Sequence, residues 1–289
     1  MVLMNNSIIQ AQCVNLKELN HLFIDLEYTK TQNKNFNVYR SRSFNQKNKK
    51  YLQLDEIKDA LKQVDKSKLK YIYLTGKNSM THPEFNHILR LCLTYCSVTI
   101  FSDGSCINDK KSRFLKRVEE EGNNEIIFKI EINHYDEKTN DEISGRGSFR
   151  KAIHAVTSLN KYGFNPILVI KSMEDNIEDL KEGFIELGAK FKFETEDINF
   201  CFIPAIEKNK VCNDNIDNCK NNAANCELDC MNSRLLTKSG VYNCPLLIND
   251  YRGRSGASLG DFSYKCYLET EECQQCTQYG KRIYSNNWV

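Results

Sequence analysis

Residues 71–104 read Y-I-Y-L-T-G-K-N-S-M-T-H-P-E-F-N-H-I-L-R-L-C-L-T-Y-C-S-V-T-I-F-S-D-G, and their pattern decides the fold. Tyr71 to Leu74 is a short apolar run that ends at Thr75-Gly76, as a buried strand entering a turn does. Pro83 to Cys96 is a helix, with Pro in the first turn, where its missing N–H costs least. Val98 to Phe101 is a second apolar run, closing on Ser102-Asp103-Gly104. Strand, turn, helix and strand within about 30 residues make a βαβ unit, whose two strands run parallel.

The same alternation extends in both directions. Upstream, H-L-F-I-D-L-E-Y (His21 to Tyr28) is a strand with Asp25 and Glu27 on one face. A polar loop from Thr29 to Lys50 follows, and Leu54, Ile57, Leu61 and Val64 then mark one face of a helix. Downstream come a helix over Lys110 to Glu120 and a strand over Glu125 to Ile132. A helix over Ser148 to Leu159 and a strand through Ile170 continue the series. A helix over Asp175 to Leu187 and a last strand beginning at Lys190 to Phe193 complete it. Such alternation predicts an α/β fold, either a curled partial barrel or an open doubly wound sheet.

After Phe200 the texture changes. Residues 207–229 are Asn-rich and nearly devoid of apolar side chains, as a linker or surface excursion is. The expected organisation is a lead-in over 1–20, the α/β domain over 21–200, the Asn-rich insertion over 201–229, and a cysteine-rich extension with its tail over 230–289.

Composition excludes several classes. Hydrophobic residues at 40% and charged residues at 27% are ordinary for a water-soluble fold. A net charge of +2 gives no basic field for nucleic acid, so no nucleic-acid partner is expected. No apolar run approaches the roughly 18 to 20 residues of a membrane span, so no membrane association is expected. The first residues, M-V-L-M-N-N-S-I-I-Q, lack the charged region and cleavage site of a secretory signal, and the expectation is a cytoplasmic protein.

Cysteine is the unusual component: 13 are present and nine lie after residue 200. In a reducing compartment such clustering points to metal or iron–sulfur ligation. The segment from Cys230 to Pro245 reads C-M-N-S-R-L-L-T-K-S-G-V-Y-N-C-P, and C-Y-L-E-T-E-E-C-Q-Q-C runs from Cys266 to Cys276. Cys230, Cys244, Cys273 and Cys276 are the candidate metal ligands, because the closing Cys-x-x-Cys lets two sulfurs reach one centre from a single turn. Four thiolates suit either a 4Fe–4S cluster or zinc. Cys266, and Cys226 four residues before Cys230, are further thiols beside this set, either of which could add a ligand. Cys212, Cys219 and Cys226 recur at seven-residue intervals without an obvious fourth ligand. Cys13, Cys92, Cys96, Cys106 and Cys201 are expected to be small hydrophobes.

Several strand ends resemble the radical S-adenosylmethionine (radical SAM) superfamily. L-T-G-K-N-S-M-T-H-P-E-F (Leu74 to Phe85) resembles its Gly-Gly-Glu-Pro turn after strand two, often followed by His-Pro-x-Phe. I-F-S-D-G-S-C-I (Ile100 to Ile107) is similar to its Thr-Asn-Gly-Thr turn. The segment His134 to Phe149, ending R-G-S-F, resembles its Arg-Gly-x-Gly-Ser-Phe motif, and K-Y-G-F-N-P (Lys161 to Pro166) continues the likeness. The cysteine box, with Tyr279-Gly280 after it, resembles the SPASM or twitch extensions that hold an auxiliary iron–sulfur cluster. The resemblance implies a partial (βα)6 TIM-like barrel with its site at the C-terminal strand ends. It also implies that Gly76, Asn78, Ser102 and Gly104 line a vestigial SAM pocket.

The departures from that family pattern bear on function. Its defining Cys-x3-Cys-x2-Cys follows strand one, where this chain has Gln32, Phe36 and Tyr39, and no cysteine occurs between Cys13 and Cys92. Amide, phenyl and phenol groups cannot replace three soft thiolates on a cluster. The Gly-Gly-Glu-Pro turn has become Gly76-Lys77-Asn78-Ser79, which removes a carboxylate and adds a cation. The expectation is therefore a protein without reductive SAM cleavage, binding a peptide or small molecule or serving a partner enzyme. The rival is an active iron–sulfur enzyme working through its C-terminal cluster or a partner chain. Asp25, Glu27, Glu131 and His134 are expected to be polar lining of a former substrate cavity. His82 and His87 suit no metal pair, and Arg146 and Arg234 are carboxylate-binding or ion-pair candidates.

Overall fold

The computed structural model describes residues 13–28, 50–76, 78–172, 177–191, 200–204, 229–248 and 250–278. Gln32, Phe36, Tyr39, Lys77, Cys212, Cys219, Cys226 and the Tyr279-Gly280 pair lie outside them. The strands are β1 (Cys13–Asn15), β2 (His21–Asp25), β3 (Glu27–Tyr28), β4 (Lys50–Tyr51), β5 (Tyr71–Thr75), β6 (Ser97–Ser102) and β7 (Ile126–Glu131). They continue as β8 (Ile167–Ser172), β9 (Phe200–Pro204), β10 (Ser233–Thr237), β11 (Gly240–Tyr242), β12 (Arg254–Ser258), β13 (Asp261–Phe262) and β14 (Lys265–Tyr267). The helices are α1 (Leu54–Leu61), α2 (Phe85–Leu93), α3 (Asp109–Glu120), α4 (Glu137–Ser144), α5 (Ser148–Lys161), α6 (Ile177–Phe191) and α7 (Glu271–Gln278).

The main sheet has ten strands in the order β13-β12-β11-β10-β2-β5-β6-β7-β8-β9. From β2 to β9 the strands are parallel and follow chain order without reversal. A doubly wound sheet reverses its strand order and carries helices on both faces. Here the apolar faces of α1, α2, α3, α5 and α6 share one core with Leu22, Ile24, Ile72, Leu74, Val98, Ile100, Phe128, Ile130, Leu168 and Ile170, all of one strand face. The doubly wound alternative is thereby excluded, and the fold is a mixed α/β sheet wound in one direction.

The opposite face carries Phe23, Tyr73, Phe101, Val169 and Cys201. Leu235 of β10 and Tyr242 of β11 extend it, and Cys244, Leu246, Leu247 and Cys273 pack against it, all from the C-terminal segment. Phe23 stacks on Tyr73 with centroids 4.4 Å apart, and Phe101 lies 6.0 Å beyond. Strand β10 also pairs in parallel with β2, Leu235 opposite Phe23. The cysteine-rich segment is thus built into the sheet and closes its second face.

Two elements depart from the sequence-based expectation. The helix spans Ile177–Phe191, so Lys190 and Phe191 are helical, and the described strand that follows it is Phe200–Pro204. Gly188, which reads as a stop, is carried inside the helix. Helix α4 was not anticipated: Asp136 caps it by accepting from the Thr139 N–H at 3.0 Å, a start signal without an apolar stripe behind it. Its Asp141 then accepts from the backbone N–H groups of Gly147 (2.5 Å) and Phe149 (3.0 Å), fastening the start of α5.

Gly104 sits at φ +80°, and a Cβ there would lie 2.7 Å from the Lys151 carbonyl oxygen and 3.0 Å from the Ala152 Cα. Both are backbone atoms of α5 and cannot swing aside. Gly104→Ala is expected to destabilise the fold by about 2 kcal/mol or more, read as a lowered urea midpoint; an unchanged midpoint contradicts the packing described.

Candidate functional site

Five thiols converge in the C-terminal segment. Cys230 lies in the one-turn helix Asp229–Met231 that leads into β10. Cys244 follows the β10–β11 hairpin and immediately precedes the turn Pro245–Leu247. Cys266 is the middle residue of β14, opposite Val14 of β1. Cys273 and Cys276, three apart on α7, share one face of that helix. Thr270 fixes the start of α7, its hydroxyl oxygen accepting from the Cys273 N–H at 3.1 Å.

Cys230, Cys244, Cys266 and Cys273 are buried. Burial pushes the Cys244 and Cys276 thiols well up and lifts Cys273 to about 11. Cys230 is raised first by its hydrogen bond with Cys266 and then by burial. Cys266 is held below the ordinary thiol range by that same hydrogen bond, with the Arg234 charge adding to it against the effect of burial. Cys244 and Cys276 both lie within electrostatic reach of Cys266 and Cys273. Among the described residues, no three His, Cys, Asp or Glu side chains stand at metal-coordinating geometry. The thiols are neighbours, not yet a coordination sphere. They pack as two groups, Cys244 and Cys273 with Cys276 against the aromatic sheet face, Cys230 and Cys266 with Val14, Met231 and Leu268.

Arg234 lies under this group with no exposed surface. Its Nη1 donates to the carbonyls of Cys230 (2.8 Å) and Ser233 (2.7 Å), and its Nη2 to those of Ser263 (3.0 Å) and Tyr264 (3.4 Å). The guanidinium stacks on Phe262 at 5.3 Å. It acts on backbone carbonyls and so is neither of the roles weighed for it from sequence.

The four turn residues singled out from sequence lie on adjacent strand ends. Asn78 Nδ2 reaches across to Ser105 Oγ (2.9 Å) and Cys106 Sγ (3.2 Å) in the turn after β6. Its Oδ1 is buried without a hydrogen-bond partner among the described residues. Ser102 Oγ accepts from the Gly104 N–H at 3.0 Å, and Gly104 packs on α5. Gly76 has φ +114° and lies against Asp25 and Glu27. Three of the four thus have local structural work, and Asn78 Oδ1 alone is left unspent.

The acidic candidates do not gather at one point. Asp25 accepts from the Glu27 N–H at 3.2 Å on the β2 side. Glu131 accepts from Asn133 Nδ2 at 3.1 Å on β7. Strands β5 and β6 lie between, about 14 Å along the sheet. His134 Nδ1 accepts from the Asp136 N–H at 2.9 Å. His82 is neutral by its partners, Nε2 donating to Leu52 O at 3.1 Å and Nδ1 accepting from the Glu84 N–H at 3.0 Å, and burial lowers its pKa. His87 and Arg146 are exposed.

One group escaped sequence reasoning. Lys129 is fully buried on the aromatic face, its Nζ 5.6 Å from the Phe101 ring and 5.9 Å from Tyr73. Burial depresses its amine, while the neighbouring Cys201 and Asp229 act the other way. Alternation in I-I-F-K-I-E-I gave its face but not its cover. For Arg234, Arg234→Met leaves four carbonyls without their donor, and we expect a loss of about 3 kcal/mol in urea unfolding; a loss below about 1 kcal/mol would contradict the bonding described.

Comparison with known proteins places the chain. A solved structure described as a histidine-tagged "anSMEcpe with bound AdoMet" superposes with a TM-score of 0.55 at 12% identity, covering 90% of this chain and 83% of that one. A second, HydG, a maturase of the FeFe-hydrogenase, gives a TM-score of 0.48 at 11% identity over 71% of this chain and 47% of that one. No curated protein matches. Residues 36–182 match the radical SAM superfamily, a span that stops short of the cysteine box. This chain belongs to the radical SAM superfamily.

Proposed function

We propose that this protein has lost reductive SAM cleavage and acts as a non-catalytic binding or scaffold component carrying a thiolate-held metal centre at its C-terminal end. The observation that carries this reading is the loop after β2, which has no cysteine where family members place three, with none between Cys13 and Cys92. The nearest thiols in sequence cannot substitute. Cys92 is buried in the helix-side core and Cys13 lies on β1, paired with β14. The six parallel strands would curl as a partial (βα)6 barrel, with a peptide or small molecule, or a partner enzyme, engaged at their C-terminal ends.

Cys230, Cys244, Cys273 and Cys276 would hold the centre. The donor chemistry suits such a centre: soft sulfurs on separate elements, with Cys230, Cys244 and Cys273 buried, packed as two neighbouring groups. Such a set supplies either an electron-storing 4Fe–4S cluster or a purely structural zinc, and the resemblance of the box to SPASM and twitch extensions favours iron and sulfur. Asn78 and Ser102 mark the vestigial SAM pocket, where Lys77 replaces a carboxylate-bearing turn. Reduced thiols in this number suit a cytoplasmic location.

Three outcomes are expected. Reconstituted with iron and sulfide and reduced in the presence of SAM, the protein yields no 5′-deoxyadenosine; its formation sinks the proposal. The double variant Cys273→Ala/Cys276→Ala loses its bound metal, and unchanged metal content would overturn the ligand assignment. Because burial lifts Cys273 to about 11 and also raises Cys244 and Cys276, zinc uptake at pH 7 releases about three to four protons. Affinity therefore rises with pH and falls as pH drops, and calorimetry in buffers of different ionisation enthalpy measures it.

A further inference from the structure

We propose that Cys106, in the turn after β6, is a site of mixed-disulfide formation with small cysteinyl compounds, and that Asn78 is the group that recognises them. The step is thiol–disulfide exchange. The Cys106 sulfur attacks one sulfur of a small disulfide, so that a new S–S bond forms and the old one breaks. The second sulfur leaves with the bonding electron pair, and the proton released by Cys106 reaches it through solvent. Cys106 is oxidised, and the incoming disulfide, which is the oxidant, is reduced. This inference is independent of the metal reading above.

Three observations carry it. First, Cys106 differs from the thiols that pack as small hydrophobes. Cys92 and Cys96 lie in the helix-side core, and burial pushes both thiols up. Cys106 is half-buried just beyond the C-terminal end of a parallel strand, the end at which such sheets hold ligands. Its sulfur accepts from Asn78 Nδ2 at 3.2 Å. Second, the orientation of the Asn78 amide is fixed by its neighbours. Ser105 donates its hydroxyl to Asp103 Oδ1 at 2.6 Å, so its oxygen is left to accept, and it faces Asn78 Nδ2 at 2.9 Å. Both amide protons are thereby spent on Ser105 and Cys106. Asn78 is 9% exposed, and its Oδ1 is buried with no hydrogen-bond partner among the described residues. An acceptor in this state is costly, and an N–H placed against it recovers the cost. A cysteinyl group joined to Cys106 carries an N–H close to its own sulfur, which is the donor that Oδ1 lacks. Third, Lys111 brings a cation to the same turn. Its Nζ donates to Asn86 Oδ1 at 3.1 Å and lies 4.9 Å from the Phe85 ring. Burial depresses this amine while the field of Cys106 acts the other way, so the two groups are within electrostatic reach. The carboxylate of a cysteinyl compound suits that charge. The Asp103 carboxylate of this turn is engaged by the N–H and hydroxyl of Ser105.

The test is timed mapping of adducts on the full-length, unmutated protein by peptide mass spectrometry. Two reagents are compared, the disulfide of N-acetylcysteine and that of mercaptopropionate, which keeps the carboxylate but lacks the N–H. Cys13, exposed on β1, is the internal reference. With each rate divided by that at Cys13, the N-acetylcysteine reagent should react at Cys106 about fivefold or more faster than the other. Asn78→Ala should abolish that preference while Cys13 keeps its rates. The Asn78 side chain caps no backbone group of the turn Ser79–Thr81, so the substitution leaves that turn its own bonds. Should the variant nevertheless lose the parent circular-dichroism spectrum, the two-reagent comparison on the unmutated protein decides. No adduct at Cys106, no preference between the reagents, or a preference kept in folded Asn78→Ala overturns the inference and leaves Cys106 a packing thiol.

Discussion

A sheet of parallel strands must be covered on both faces, and here the two covers come from different parts of the chain. Helices α1, α2, α3, α5 and α6 cover one face. The aromatic face of Phe23, Tyr73 and Phe101 is covered by the residues around Cys244 and Cys273. The cysteine box therefore serves the core before it serves any metal.

The same arrangement bears on the centre. Thr270, β14 and the β10–β11 hairpin set the backbone positions of Cys273, Cys266 and Cys244, and each is fixed by hydrogen bonds that need no metal. A preassembled backbone lowers the ordering cost of ligation, leaving mainly side-chain rotation and deprotonation. The raised thiol pKa values oppose metal uptake, while the Arg234 charge favours it. A metal held by these thiols would be bound in a pH-dependent manner.

What was legible in the sequence follows the range of the interactions involved. Strands such as Y-I-Y-L-T and S-V-T-I-F-S declare themselves because burial on both faces makes them continuously apolar. Gly104 declared a turn, but the reason it must be glycine, the α5 backbone against it, is a tertiary fact. Pairing of β10 with β2 joins residues more than 200 positions apart and leaves no local periodicity to detect. Cys230, Cys244, Cys273 and Cys276 stand out as candidates from spacing, and the structure puts Cys273 and Cys276 on one helical turn. Cys266 was only a substitute candidate, since its place beside Cys230 depends on a strand of three residues paired with another near the other end of the chain. Lys129 and Arg234 were similarly opaque: a lysine or arginine inside a strand pattern reads as exposed until its cover is known.

Anaerobic purification followed by metal and acid-labile sulfide analysis tests the central claim most directly. One centre per chain is the expected result, either about four iron with about four sulfide or about one zinc. About eight iron per chain, with a second cluster that changes its spectrum on addition of SAM, would contradict it.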